Sequence, residues 1–529
     1  MKHNIFGYLF VIFVIGIMGF SIYRVKIKNK DEDNNVVVAN EENINKIDEI
    51  TLAIAGIDSI NPIISNNKQV QNITKLIYEP LINITDDYKL EACLAKEWST
   101  SDGLSYVIKL REGIKWSDGS RCTSTDVKYT IDKLKDENAS SVYDSNVHKI
   151  QEVDIIDNVT LRIILSEKIP KFEYYLSFPI MCSSYYGEDN FWNTEKNNKP
   201  VSTGRYKIKE ITGSTIVLEK NNDWWKKKNE DTYINKINVN VYTSLAEMYN
   251  AFKLGNIDLI VTENTSYQDY IGTIGYNTTE IEGREFIFLA LNNQNQLLAD
   301  ASIRKAVRDA INKDEVVANI KGYSTANFML NTNSYLINRE DENYYNLGEV
   351  SNILNSQNWL IKNGVWQRSI NYSIQKLEFN LVVKVSDSTR VEIAKNIKNQ
   401  LASQGIIINL IGASDEDYNN YLINKNYDMI LCSSYLPIAP DLNTYLGENN
   451  IANYNNDEVK GVLNDINNIT DENELKNKYQ RLYEIYNGEA PYIGIARKKA
   501  YVLTNTDLVG EIKSNWFNLF YGIKDWYKK

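Results

Sequence analysis

The chain has 529 residues, 43% of them hydrophobic, which is enough for several cores and, by length, about three domains. Its net charge of −11 argues against a nucleic-acid partner, because such a partner requires a basic surface. Only two histidines occur, His3 and His148, so the composition also argues against a catalytic triad or a multi-histidine metal site. The four cysteines are far apart and lack CxxC spacing, which favours buried thiols over a single disulfide.

The first 47 residues do not have the pattern of a globular domain. Residues 5–23 are apolar and uncharged, and as a helix they would be about 28 Å long, close to the thickness of a membrane core. No small-residue cleavage site follows closely, so residues 1–30 are predicted to be an uncleaved transmembrane anchor. Residues 31–47 are polar and acidic and are predicted to be a flexible tether.

Residues 94–134 contain the most informative pattern of the chain. An Asp-Gly pair at 102–103 predicts a tight turn, because glycine adopts positive φ angles at little steric cost. Alternating apolar residues from 104 to 110 then predict a half-buried strand, and a second Asp-Gly pair follows at 118–119. Thr123 and Asp126 have the spacing of a capping box and predict the start of a helix. Nothing in this segment is chemically reactive, which indicates a scaffold.

This ordered set of turns, strand and helix resembles the signature segment of the family 5 extracytoplasmic solute-binding proteins of ABC transporters, the oligopeptide, dipeptide and nickel binders. Four further segments resemble the family in the same order: 77–81, 202–208, 251–258 and 300–314. The resemblance extends from about residue 50 to the C-terminus. It implies a protein that binds a solute and delivers it to a permease, with no catalytic residues, no cofactor and no metal site.

The resemblance also implies the fold, an α/β architecture of the two-lobed periplasmic-binding-protein type (type II) with an extra subdomain. The implied boundaries are 48–82, 200–284 and 496–529 for lobe I, 83–199 for the extra subdomain, and 285–495 for lobe II. Strands near 287–291 and 493–496 would cross between the lobes as a hinge. Independently, strand, helix and strand patterns at 379–385, 388–404 and 406–411 predict a parallel crossover unit.

Candidate solute contacts follow from the same comparison with the family. The loop after the first strand borders the ligand in the family, and here it offers Ser59 and Asn61, although both residues also fit a turn that merely ends the strand. Asn292 directly follows the strand predicted at 285–291 and is a further candidate. Tyr435 occupies the position of an aromatic residue in the pocket motif of oligopeptide binders. For Tyr435, one of 36 tyrosines, ordinary packing is the alternative.

The acid of that pocket motif is replaced in this chain. Oligopeptide binders place it three residues after the aromatic residue, where it pairs with the peptide's α-ammonium group, but here Ile438 occupies the position. Asp441 matches a second acid of the motif. A buried ammonium group without a counter-charge is costly. Either Asp441 takes over the role, or the solute is not held through a free amino terminus.

The expected location is the cell membrane, with a single-pass N-terminal anchor and the globular domain outside. Only Lys2 precedes the apolar segment, whereas four basic residues between 24 and 30 follow it. The positive-inside rule would therefore keep the domain in the cytoplasm. The resemblance favours the opposite orientation, because solute-binding proteins act outside the cell.

Two functions fit these observations. The first is the solute-binding component of an ABC importer, with a peptide or other small solute as ligand and a permease in the same membrane as partner. The second is an extracellular receptor or regulatory protein that binds a ligand without transport. A cell-surface hydrolase is a third class, but no motif beyond the abundance of carboxylates supports it.

Overall fold

The computed structural model describes residues 47–137, 139–339, 343–469 and 471–529. The predicted transmembrane anchor and all but the last residue of the predicted tether lie outside these described residues. Within the described ranges, no helix combines the length and the apolar character needed to cross a bilayer.

The secondary structure is a mixture of strands and short helices. The elements up to residue 186 are β1 (Glu49–Ala55), α1 (Lys68–Thr74), β2 (Ile82–Ile84), β3 (Leu90–Ala92), β4 (Ala95–Thr100), β5 (Ser105–Leu110), α2 (Ser124–Leu134), α3 (Asp144–Val147), β6 (Ile150–Asp157), β7 (Thr160–Leu165) and α4 (Ser183–Tyr186). Those up to residue 325 are β8 (Tyr206–Thr212), β9 (Thr215–Lys220), β10 (Lys236–Tyr242), α5 (Leu245–Lys253), β11 (Leu259–Thr262), α6 (Tyr267–Ile271), β12 (Tyr276–Leu291), α7 (Ala301–Asp309), α8 (Lys313–Val317) and β13 (Tyr323–Thr325).

The remaining elements complete the chain to its C-terminus. They are α9 (Leu347–Ser356), β14 (Leu360–Lys362), β15 (Val365–Ile370), β16 (Ser373–Lys376), β17 (Glu378–Lys384), α10 (Ser388–Ser403), β18 (Ile407–Ala413), α11 (Asp415–Asn424), β19 (Met429–Tyr435), α12 (Asn443–Leu446), α13 (Asp457–Ile466), α14 (Glu472–Glu489), β20 (Tyr492–Asn505), β21 (Leu508–Val509) and β22 (Tyr527–Lys528).

One mixed sheet of 11 strands runs through most of the molecule, in the order β18-β17-β19-β12-β20-β11-β1-β10-β9-β8, with β13 paired to β20. We call the strands from β11 to β8 the first half-sheet and those from β18 to β19 the second half-sheet. In the second half-sheet, β17 and β18 are parallel and are connected through α10, which confirms the predicted crossover unit. Gly405 follows the C-cap of this helix, and its φ of 78° is usual for a glycine at that position.

The end of β12 and the first part of the neighbouring β19 are buried on both faces, and this explains their continuous apolar runs. Along β12, Phe286, Phe288 and Ala290 point into one apolar cluster with α13 and α14. The alternate residues, Ile287 among them, point into another cluster with α7 and α10. The period of two along the strand therefore assigns successive side chains to two separate cores.

Two long strands, β12 and β20, join the half-sheets. The pairing of β12 with β20 shifts register between Glu282 and Phe286. On one side of this shift β20 also pairs with β11, and on the other side β12 also pairs with β19. Gly283 fits this crossing because a Cβ atom there would lie 2.8 Å from the carbonyl oxygen of Lys498. A second register shift lies between Ile287 and Phe288, within the strand segments 287–291 and 493–496 that are predicted to form the hinge. The position of the hinge stays a prediction.

A separate antiparallel sheet, β4-β5-β7-β6, contains the signature segment. The predicted alternation is confirmed, since Tyr106, Ile108 and Leu110 of β5 are buried in one apolar cluster with α2. The predicted start of α2 is also confirmed, because the Asp126 carboxylate accepts a hydrogen bond from the Thr123 backbone N–H at 2.8 Å. This cluster continues into β1 and α1, so the small sheet packs on the first half-sheet.

Candidate functional site

A cavity of about 940 Å³ lies beside the crossing of β12 and β20. Its volume falls in the range typical of small-molecule sites. Elements of the first half-sheet and its helices supply most of the lining, whereas Tyr435 at the end of β19 and Ile438 just after it line another part. The segment 516–520 near the C-terminus closes another side. Residues distant in sequence therefore meet around one space, which we call the cleft cavity.

The cleft cavity has apolar and aromatic walls of the kind that bind organic solutes. Tyr435 is 70% exposed and faces this space, so it is not an ordinary core tyrosine. Trp516 stacks under the Arg284 guanidinium, with 4.7 Å between the guanidinium carbon and the ring centre. Its indole N–H donates to the Tyr88 hydroxyl at 3.1 Å, which fixes the orientation of the ring.

The charged side chains of the cleft cavity are mostly basic. Five basic residues line it against two acidic ones, in a chain whose acidic residues outnumber its basic residues. The basic residues are Lys68, Lys75, Arg284, Lys498 and Lys499, and the acidic residues are Glu263 and Glu285. The local charge is therefore opposite in sign to that of the whole chain, which attracts anionic groups.

Several of these charges already have partners. Glu263 contacts the ammonium groups of Lys68 at 2.5 Å and of Lys498 at 3.1 Å. Burial acts to raise the pKa of Glu263, but its interactions with the two lysines outweigh this effect and lower the pKa. Lys499 pairs with Glu280 at 2.9 Å, outside the cavity lining.

Lys75 and Arg284 have no such partner within the described part of the chain. The Lys75 side chain is exposed to the cavity and surrounded by its walls, and this enclosure lowers the pKa of Lys75 to about 8. Burial likewise lowers the pKa of Arg284. Arg284 donates through Nε to the carbonyl oxygen of Leu436 at 2.9 Å, which leaves its two terminal nitrogens available. Both cations are placed to meet a bound anionic group.

A smaller side chamber of about 220 Å³ adjoins the cleft cavity, and Lys75, Tyr143 and Ile438 line both spaces. One wall contains the Glu79 carboxylate, which accepts a hydrogen bond at 2.9 Å from each of the indole N–H groups of Trp224 and Trp225. Burial raises the pKa of Glu79. The two tryptophans therefore hold the buried Glu79 carboxylate in place. Their indole N–H groups are used within the protein and not for a ligand.

The five predicted contact residues do not come together. Tyr435 lines the cleft cavity, whereas Ser59, Asn61, Asn292 and Asp441 lie outside its lining. Asn61 is fully buried, and its amide donates to the Asn197 side-chain oxygen at 2.8 Å and to the Tyr186 hydroxyl at 3.2 Å. Ser59 accepts a hydrogen bond from the Asn61 backbone N–H at 3.1 Å, within the same turn.

Asn292 and Asp441 have local structural contacts. The Asn292 amide donates to the backbone carbonyl oxygens of Tyr427 at 2.8 Å and Lys425 at 3.2 Å. The Asp441 carboxylate accepts hydrogen bonds from the backbone N–H and the side-chain amide of Asn443, at 2.9 and 2.7 Å. Asp441 thereby fixes the start of α12.

Sequence reasoning missed Lys75, Arg284 and Trp516. Lys75 immediately precedes the family-like segment 77–81, and Arg284 is a basic residue beside a glycine in a strand that is otherwise apolar towards its end. These anomalies were visible in the sequence. Their common cavity was not, because residues 75, 284 and 516 are far apart in the sequence and meet only in the folded chain.

The described residues contain no group of three or more His, Cys, Asp or Glu side chains that could hold a metal ion. The four cysteines are buried free thiols, and burial raises the pKa of each. Thiols in that state are poor nucleophiles.

Comparison with known proteins identifies where this architecture occurs. The family model of the bacterial extracellular solute-binding proteins, family 5 (middle part), matches residues 89–456. The oligopeptide-binding protein AppA of Bacillus subtilis is 21% identical over 458 residues, covering 82% of each chain. The periplasmic oligopeptide-binding protein OppA of Salmonella typhimurium is 24% identical over 290 residues, and that match covers 50% of this chain and 52% of OppA.

Two solved structures show the same fold. The murein tripeptide binding protein MppA in its unliganded open form overlays with a TM-score of 0.77 at 18% identity, covering 91% of this chain and 97% of MppA. AppA of Bacillus subtilis in complex with a nonapeptide overlays with a TM-score of 0.53 at 19% identity, covering 91% of this chain and 99% of AppA.

Proposed function

Because the chain belongs to the bacterial extracellular solute-binding proteins of family 5, we propose that it is the solute-binding component of an ABC importer for peptides. The observation that carries the proposal is the cleft cavity of about 940 Å³, placed where two strands cross between the halves of the molecule. A solute bound there contacts both halves and favours the conformation in which they close on it. The oligopeptide-binding relatives support peptides as the solute class.

The lobes that would close are those delimited at 48–82, 200–284 and 496–529 on one side and at 285–495 on the other. The extra subdomain at 83–199 would move with the first lobe, because their apolar residues form one cluster. The closed form would then be recognised by the permease. The proposed function involves no catalytic turnover, because it requires only binding of the solute and closure of the lobes.

Closure by peptides can be measured by X-ray scattering from a fragment that starts at Asn45. A peptic digest of casein is expected to lower the radius of gyration, and mass spectrometry should recover the bound peptides unchanged. In Tyr435→Ala the digest concentration that gives half of the decrease in radius should rise roughly tenfold, because the variant removes an aromatic wall of the cavity. Asp441→Asn is expected to leave it unchanged. No change in the radius at any digest concentration, or accumulation of cleaved products, would contradict the proposed function.

We also propose that residues 5–23 anchor the protein in the membrane with the globular domain outside. The anchor would keep the protein at high local concentration near its permease. Protease added to intact cells after removal of the wall is expected to cleave the tether at 31–47 and release the domain. Cleavage only after lysis would place the domain in the cytoplasm, as the four basic residues between 24 and 30 would suggest.

A further inference from the structure

We propose that the cleft cavity selects solutes by carboxylate groups, which pair with Lys75 and Arg284, and not by a free α-ammonium group. The inference rests on the proposed function, because it concerns a solute captured in the same cavity. It adds the charge of the recognised group and the residues that recognise it.

The charges around the cavity are only partly paired. Of the five basic residues that line it, Lys68 and Lys498 share the Glu263 carboxylate, and Lys499 pairs with Glu280. Lys75 and Arg284 form no ion pair within the described ranges, so two positive charges face the cavity without an anion. An enclosed cation without a counter-charge is unfavourable, and a bound carboxylate would relieve this.

The donors of these two residues are placed for use by a solute. The Lys75 ammonium makes no hydrogen bond to the described residues, although its side chain projects into the space shared by the cleft cavity and the side chamber. The Arg284 guanidinium is held by the carbonyl oxygen of Leu436 and by the face of Trp516, which leaves its terminal nitrogens for a ligand. A guanidinium held in one orientation suits a carboxylate, because it can donate two parallel hydrogen bonds.

The cavity is poorly equipped to bind an ammonium group. Ile438, which stands where oligopeptide binders have an acid, lines both spaces and presents only apolar atoms. Glu263 is already engaged by two lysines. Glu285 accepts a hydrogen bond from the Tyr323 hydroxyl at 3.3 Å and lies in the field of Lys498. An incoming ammonium group would therefore have to compete with cations that are already in place.

The test compares chemically blocked peptides on the full chain, purified in detergent and immobilised. A peptic digest of casein is divided into untreated, N-acetylated and carboxyl-esterified portions, and mass spectrometry measures the peptide retained per protein. The acetylated portion should be retained like the untreated one. Esterification, which removes every carboxylate, should reduce retention at least about tenfold, as expected when charge-assisted hydrogen bonds are lost.

Matched variants assign the effect to the two cations. Lys75→Gln and Arg284→Gln should each reduce retention of the untreated digest at least about tenfold and remove most of its preference over the esterified portion. Lys75→Arg should keep that preference. Lys128→Gln is the control, because Lys128 is a partly exposed lysine of α2 that pairs with Asp132 and lines neither the cleft cavity nor the side chamber. It should change retention less than about twofold.

The pH dependence gives a readout that a merely structural role of Lys75 would not produce. The charge of Lys75 is present below its pKa of about 8 and is lost above it. Retention of the untreated digest should therefore fall from about pH 7 to about pH 9.5 in the wild type and stay flat in Lys75→Arg. Charged groups of the cleft lining are Lys68, Glu263, Arg284, Glu285, Lys498 and Lys499. Those of the side-chamber lining are Glu79, Glu91, Arg205, Lys226, Glu230 and Lys524.

The possible outcomes separate this inference from the proposed function. Loss of retention on acetylation but not on esterification would overturn the inference and show recognition of the ammonium group. Equal retention of all three portions would overturn it as well, while the proposed function would stand. If no portion is retained at any concentration, the peptide function itself fails, and the inference fails with it.

Discussion

Replacing Asp126 by alanine is expected to destabilise the protein by about 4 kcal/mol. The carboxylate is only 2% exposed and accepts four hydrogen bonds. The donors are the backbone N–H of Thr123 at 2.8 Å, the backbone N–H and hydroxyl of Ser183 at 2.7 and 2.6 Å, and the indole N–H of Trp116 at 3.3 Å. Removing the carboxylate leaves one buried and three partly buried donors without this acceptor, and each unsatisfied buried group costs about 1–3 kcal/mol.

The measurement is the free energy of unfolding in urea. Asp132→Ala is the matched control, because Asp132 lies on the same helix but is half exposed and pairs only with Lys128 at 3.3 Å. The control should cost less than about 0.5 kcal/mol. Equal effects of the two substitutions would show that the buried carboxylate does not hold the start of α2 on the segment around 183.

Replacing Arg497 by methionine is expected to cost about 4 kcal/mol, the loss typical of breaking a buried ion pair. Arg497 is fully buried at the strand crossing, and its guanidinium lies 3.1 Å from the Glu282 carboxylate. It also donates to the carbonyl oxygens of Leu330 at 3.1 Å and Phe328 at 3.3 Å. Methionine can fill part of the volume but removes the donor to the Phe328 carbonyl oxygen and the positive charge beside Glu282, whereas the Leu330 carbonyl oxygen keeps a hydrogen bond from Arg339 at 2.9 Å.

A double-mutant cycle separates the ion pair from the rest. With Glu282→Leu added to Arg497→Met, the total loss should be smaller than the sum of the two single losses, because no buried charge remains without a partner. Lys499→Met is the control on the same strand. Its partner Glu280 is 55% exposed, so the loss should stay below about 1 kcal/mol. Simple additivity in the cycle would show that Arg497 and Glu282 act independently.

Local patterns in the sequence predicted local structure correctly. The turn, strand and capped helix between 102 and 134 depend on glycine conformations, alternation and spacing, all of which are visible over a few residues. The crossover unit of β17, α10 and β18 was predictable for the same reason. The family resemblance added the general architecture and the prediction that Tyr435 contacts the solute. Tyr435 does line the cleft cavity.

The partners of polar side chains could not be predicted in this way. Asn61 looked like a solute contact because it is a small polar residue in a suitable loop. Its amide is instead bonded to Tyr186 and Asn197, more than a hundred residues away. Lys75 and Arg284 show the opposite case, because nothing in the sequence indicates that they form no ion pair with any residue the structure describes. Whether a polar group is satisfied depends on the tertiary structure.

The register shift between β12 and β20 has a consequence for how this chain can vary in evolution. From Phe286 onward, alternate residues of β12 belong to two different apolar clusters. Inserting or deleting a single residue between 283 and 285 would exchange the two sets, so that every side chain up to Leu291 would face the wrong core. We infer that this short stretch tolerates changes of residue type far better than changes of length, whereas the surface loops tolerate both.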